Sequence, residues 1–258
     1  MIGVPVWEVN LFVYGSITVE KPLSLNEPKG FQLDDQFYSD IEIKRRRGSS
    51  GVEVKVTAFA PSKQLAREAS ILYFGQMLSA LAIQIDQPLY LNFSDRFKNS
   101  NEVHDTSRRV TKEEWQEAFK EARLLAMKES TFLRALGWYR KGLYTEDSFD
   151  KFLAFWNSIE IVAGKYHPPI PEGRPKGSIS QIWESFKSIW GECDNWAIIQ
   201  GQTKWIENNS NVRTKIAHGI LDIETVKDVV TKIDVLQSVA HKFLVDWRQR
   251  KLNLEITP

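Results

Sequence analysis

An α+β chain, in which a small β-rich module with one helix precedes an all-helical bundle, follows from a change of period along the sequence. Val4 to Val19 and Ile41 to Ala60 alternate apolar with polar residues at the period of two that marks half-buried strands. From Thr111 almost to the end, apolar residues instead recur at helical spacing. The stretch Ser94 to Arg109 is polar and holds neither period. These three observations predict an α+β module over residues 1–95, a linker over 96–110 and a helical bundle over 111–258.

Within the first module, Ile41 and Ile43 alternate with Glu42 and Lys44, and Val52, Val54 and Val56 with Glu53 and Lys55. Between them, Arg45-Arg46-Arg47-Gly48-Ser49-Ser50-Gly51 has turn chemistry, which predicts a β-hairpin with the arginines as a solvated, aggregation-resistant edge. After Pro61-Ser62, the residues Leu65, Ala66, Ala69, Leu72, Tyr73, Met77 and Leu81 give a helix to Ile85, and Pro88 to Phe93 reads as a further strand.

The bundle opens on Thr111-Lys112-Glu113-Glu114, a capping box in which threonine and glutamate satisfy free backbone donors at a helix start. Trp115, Ala118, Phe119, Ala122 and Leu125 follow on one face, and helical spacing resumes through Phe132, Leu136 and Tyr139 to Gly142. A third helix is capped by Asp147 or Ser148 and ends near Ala163 before Gly164, ahead of the loop His167-Pro168-Pro169-Ile170-Pro171. Further helices are expected at Ser178 to Trp190, near Asn195 to Glu207, briefly at Arg213 to His218, and at Glu224 to Trp247. The last carries the stripe Val226, Val229, Ile233, Leu236, Val239, Phe243, Trp247.

The totals narrow the function classes. The 258 residues suffice for one large domain or two modest ones, and 34 Lys plus Arg against 33 Asp plus Glu leave a net charge of +1. Any contact with nucleic acid must therefore be local. The single cysteine, Cys193, has no partner for an internal disulfide or a zinc cluster, which fits a reducing compartment; its neighbours Glu192 and Asp194 raise its thiol pKa and make it a poor nucleophile. The start MIGVPVWEVNLFVYG lacks the features of a signal peptide, and no window has the length of a membrane span. The expected location is the cytoplasm, with no membrane partner.

One charge falls where an apolar residue is expected. At about 100 degrees per residue, Phe149, Phe152, Leu153, Trp156, Ile159 and Ala163 form a broad apolar arc, and Glu160 lies inside it. A carboxylate there needs a cation or several hydrogen-bond donors. It either pairs at the edge of the arc with a Trp, Tyr or Lys for structural reasons, or orients Arg213.

The sharpest signal is Asn208-Asn209-Ser210-Asn211-Val212-Arg213-Thr214-Lys215-Ile216-Ala217-His218-Gly219. Capping residues lead into a short apolar-patterned turn, and a glycine suited to a C-terminal cap closes it. Arg213 and His218 stand about 140 degrees apart on a regular helix, so one helix does not readily aim both at one atom. A second copy across a two-fold axis would.

Arg213-Thr-Lys-Ile-Ala-His218 followed by Gly219 resembles the R-x4-6-H mark of the HEPN superfamily, in the R-x-K-[IL]-A-H-G form of its Apea-like branch. The Phe149 to Ala163 helix with its glutamate resembles the same branch, and the resemblance runs from about Thr111 to Trp247. It implies a helical bundle that dimerises through its motif-bearing helices, with RNA or a nucleotide as ligand and no metal or cofactor. It further implies Arg213 and His218 as catalytic residues of a metal-independent endoribonuclease of toxin, defence or RNA-processing type, supported by Glu160, Thr214, Asn209 and Lys215. The position after the arginine, commonly Asn, Asp or His in active members, is Thr214 here, which supplies a hydroxyl but no amide or carboxylate. The alternative is a HEPN scaffold that binds nucleotide or dimerises without catalysis, with Arg213 holding Glu160 and His218 bonded to backbone. The N-terminal module would select substrate or sense a trigger. His104, His167 and His241 fall in the linker, the proline loop and an exposed position of the last helix, and carry no site expectation.

Overall fold

In the computed structural model, residues 5–26, 38–46, 50–93, 107–219 and 222–252 are described. The chain divides into two compact units, Met1–Arg123 and Leu124–Pro258. The α+β class is as the two periods predict. The division, however, falls inside a helix, and most of the expected linker, residues 94–106, lies outside the described residues.

The first unit is built on an antiparallel sheet of β1 (Val6–Tyr14), β3 (Leu23–Asn26), β4 (Tyr38–Arg45), β5 (Val52–Phe59) and β6 (Tyr90–Asn92), in the order β3-β4-β5-β1-β6. Register places Leu25, Ile41, Val56 and Val9 in one cross-strand row and Leu23, Ile43, Val54 and Leu11 in the next. Because side chains alternate across a strand, these rows share one face, and all but Leu23 are buried. The opposite face carries Lys55 between Glu8 and Glu42, at 3.3 and 3.2 Å, and Lys44 beside Glu53 at 3.0 Å. Helix α1 (Lys63–Ile85) packs on β1, β5 and β6, its first turn capped by Ser62, whose Oγ accepts from the Leu65 N–H.

Two expectations are corrected in this unit. Arg108–Arg109 is not linker but a short strand, β7, paired in parallel with β2 (Ile17–Thr18). Arg46 is not a solvated edge residue: it is buried, with its guanidinium 4.6 Å from the centre of the Tyr14 ring, where cation–π attraction offsets loss of water. Arg47 lies outside the described residues. The capping box is formed as expected at the start of α2 (Lys112–Lys128), with Thr111 N–H donating to Glu114 Oε2 at 2.8 Å and Glu114 N–H to Thr111 Oγ1 at 3.2 Å. The first turns of α2 belong to this unit, where Trp115 and Phe119 pack against Phe74 of α1.

The second unit contains α3 (Ser130–Tyr144), α4 (Ser148–Tyr166), α5 (Ser178–Trp190), α6 (Trp205–Ala217) and α7 (Ile223–Arg250). Helix α4 is the element the others surround, touching α3, α5, α6 and α7. Asp147 caps it, accepting from the Asp150 N–H at 2.9 Å. It does not stop before Gly164 but continues to Tyr166, ending where Pro168 forbids another helical residue before it. No helix of the described residues is long and apolar enough to cross a membrane.

Helices α5 and α7 are joined by aromatic and polar contacts. Phe186 meets Trp190, Trp196, Trp205 and Phe243. The buried carboxylate of Asp246 accepts from Trp190 Nε1 and Lys242 Nζ, both at 2.7 Å. Burial by itself raises the pKa of Asp246, but these two bonds and the charges of Lys242 and Arg250 outweigh it and hold the group below the usual carboxylate range.

Helices α3 and α4 approach closely at Gly142, where a Cβ would stand 2.6 Å from the ring of Phe155. Phe155 is fully buried and has no room to yield. Three ring atoms at 2.6, 2.7 and 2.9 Å put the cost in the upper part of the about 1–3 kcal/mol typical of overpacking, above the roughly 1 kcal/mol of helix propensity that alanine adds over glycine. Gly142→Ala is therefore expected to lower unfolding free energy by about 1–2 kcal/mol in chemical denaturation. A variant as stable as the parent would contradict this packing.

Candidate functional site

The predicted short helix at Arg213 is the end of a longer one. Where helix was expected from Asn195 to Glu207, the chain makes a 3₁₀ turn at Cys193–Asn195 and further turns, and α6 begins only at Trp205. Asn208, Asn209, Ser210 and Asn211 thus lie inside α6 and do not cap it. Burial of Trp205, Ile206, Asn209 and Val212 along one side overrides their local preference for helix ends.

The buried face of α6 brings Arg213 to Glu160 of α4. Arg213 Nη2 lies 3.5 Å from Glu160 Oε2, with the two side chains 38% and 24% exposed. Glu160 thus sits at the edge of the apolar arc, and its partner is Arg213, not the Trp, Tyr or Lys of a purely structural pairing. A partly exposed pair at this distance is worth at most about 1 kcal/mol, so its consequence is chiefly orientation: it fixes where the guanidinium lies while leaving donors toward solvent. Asn209, one turn before Arg213, is buried and donates from Nδ2 to the Trp205 carbonyl at 2.8 Å.

His218 closes α6. Its backbone N–H bonds the Thr214 carbonyl at 3.1 Å, and its side chain is exposed. Gly219 follows at φ +71, the left-handed conformation that a glycine C-terminal cap takes, and bonds the Ile216 carbonyl at 3.0 Å. Thr214 is exposed. Lys215 is half-buried and close enough to Asp222 to help lower that carboxyl's pKa, after the larger effect of the Thr225 hydroxyl and N–H, which Asp222 accepts as the cap of α7. One chain therefore assembles Glu160, Arg213 and Asn209 on the α4–α6 seam and leaves His218 and Thr214 in solvent. Among the described residues no hydrogen bond or ion pair ties the imidazole of His218 to Arg213.

The remaining chemistry-bearing residues lie elsewhere. His167 caps the end of α4 with its Nδ1 2.7 Å from the Pro168 carbonyl oxygen, and His241 is half-buried against the Tyr139 ring, not exposed as its sequence neighbourhood suggests. His104 lies outside the described residues. Among the described residues no group of three or more His, Cys, Asp or Glu is placed to hold a metal ion. Pattern could not have singled out Trp156, an ordinary member of the apolar arc: its ring is fully buried beside Trp205, yet its Nε1 has no acceptor.

The chain matches no protein-family model, no curated protein and no solved structure.

Cys193 is buried, and burial first, then the charge of Asp194, pushes its thiol pKa up against a small opposing effect of the Gly201 N–H. Native protein is expected to react with an aromatic disulfide reagent at mildly alkaline pH at least about tenfold more slowly than the unfolded chain. Equal rates would place the thiol in solvent.

Proposed function

We propose that this chain is a HEPN-type, metal-independent endoribonuclease of the cytoplasm whose site is completed by two copies of α6. The observation that carries the proposal is the division of labour at this helix: Arg213 is oriented by Glu160 yet partly open, while His218 stands exposed at the helix end. Cleavage by the 2′-hydroxyl needs a base for its proton, a cation for the charge on the phosphorane, and an acid for the 5′-oxygen. Arg213 supplies the cation and can hold a phosphate with two parallel hydrogen bonds. One His218 takes the 2′ proton as the 2′-oxygen attacks phosphorus; the other copy's His218 protonates the 5′-oxygen as its bond to phosphorus breaks. A 2′,3′-cyclic phosphate and a free 5′-hydroxyl result.

Support for a second copy comes from α7. Its N-terminal half carries Ile223 and Val230, 65% and 59% exposed, on one line with half-buried Val226 and Ile233 beside them. This apolar stripe has the spacing of a helix-pairing seam and follows directly from the motif. The second reading, a HEPN scaffold that binds nucleotide or dimerises without cutting, is favoured by the Arg213–Glu160 contact itself, which already engages the cation, and by Thr214 after the arginine.

The test is cleavage of total cellular RNA in EDTA by the wild type and by His218→Ala and Arg213→Ala variants of matched stability. The ribonuclease reading expects wild-type cleavage that falls about a hundredfold or more in each variant. No wild-type cleavage would transfer the weight to the scaffold, and cleavage undiminished in both variants would remove this site from the chemistry.

A further inference from the structure

We infer that the α4–α6 seam holds a buried hydration site in which one ordered water links the indole of Trp156 to the carboxamide of Asn209. The inference stands on packing and does not depend on the ribonuclease reading. Trp156 is fully buried and Asn209 is 2% exposed, and each has one side-chain atom with no hydrogen-bond partner among the described residues: Nε1 of Trp156, a donor only, and Oδ1 of Asn209, an acceptor. Leaving either atom dry and unpaired is costly. The two residues belong to one stretch of one interface. Below them the rings of Trp156 and Trp205 lie 6.3 Å apart; above them, one turn along each helix, Glu160 meets Arg213 at 3.5 Å. Asn209 sits between these two cross-links, its Nδ2 already committed to the Trp205 carbonyl at 2.8 Å, which leaves Oδ1 as the free end.

A water that accepts from Trp156 Nε1 and donates to Asn209 Oδ1 satisfies both groups at once, and these two supply the polar partners that an internal water needs.

The experiment is heteronuclear NMR of the full chain with the Trp156 indole N–H assigned by its disappearance in Trp156→Phe. The expected result is cross-relaxation between this N–H and a long-lived water, lost in Asn209→Leu. Unfolding constants of Trp156→Phe, Asn209→Leu and the double variant should then depart from independence by about threefold or more. Should Asn209→Leu fail to fold, the wild-type spectrum decides. An indole N–H with no water contact, a contact that survives Asn209→Leu, or coupling without any water signal overturns the bridge.

Discussion

Helix α4 can be buried only if other helices enclose it. Phe152, Phe155, Trp156, Ile159 and Val162 are all fully buried on an arc of about 120 degrees, and buried Ala154 and Ser158 widen it to about 200 degrees, so a single neighbour could cover only part of it. Four helices, α3, α5, α6 and α7, meet this demand. The rest of the unit follows from how closely each can approach. Gly142 lets α3 lie against Phe155. The large rings of Phe186, Trp205 and Phe243 meet where α5, α6 and α7 converge. Glu160 is the place where the apolar ring gives way to solvent, and the helix arriving there is the one that carries Arg213.

This constraint fits the proposed reading, in which one chain carries only part of the site. Packing fixes one side of α6, and with it Asn209 and Arg213; among the described residues, the side that carries Thr214 and the end that carries His218 are exposed. A catalytic group left in solvent gains nothing from preorganisation. The exposed line of Ile223 and Val230 on the helix that follows offers a surface through which a second chain would bring its own α6 alongside.

Much of this organisation was legible in the sequence, because period and caps are local. The Thr111–Glu114 box stands where residue type alone puts it, and of the two candidates Asp147 and Ser148 it is Asp147 that caps α4. That Glu160 needs a partner was legible too, since a carboxylate inside an apolar arc demands one, but the choice between a Trp, Tyr or Lys and Arg213 was made only by the fold. What failed was local preference overruled by packing. Asn208 to Asn211 looked like caps but are carried inside α6 by the burial of Asn209 and Val212, and Gly164 looked like a stop but is passed by α4. Arg46 looked solvated because charge is usually outside; only the fold supplies the Tyr14 ring that covers it. The orphan atoms of Trp156 and Asn209 have no sequence signature, since each depends on which group stands opposite it on another helix.

The claim that everything functional here rests on is that one chain is insufficient. Its most direct test is the mass in solution, by sedimentation equilibrium, of the wild type and of Val230→Glu, which places a charge on the exposed stripe of α7. The account predicts a wild-type particle of twice the 29.8 kDa of one chain, converted to monomer by the substitution without loss of fold. A wild type that remains a monomer at concentrations where it cleaves RNA would contradict it.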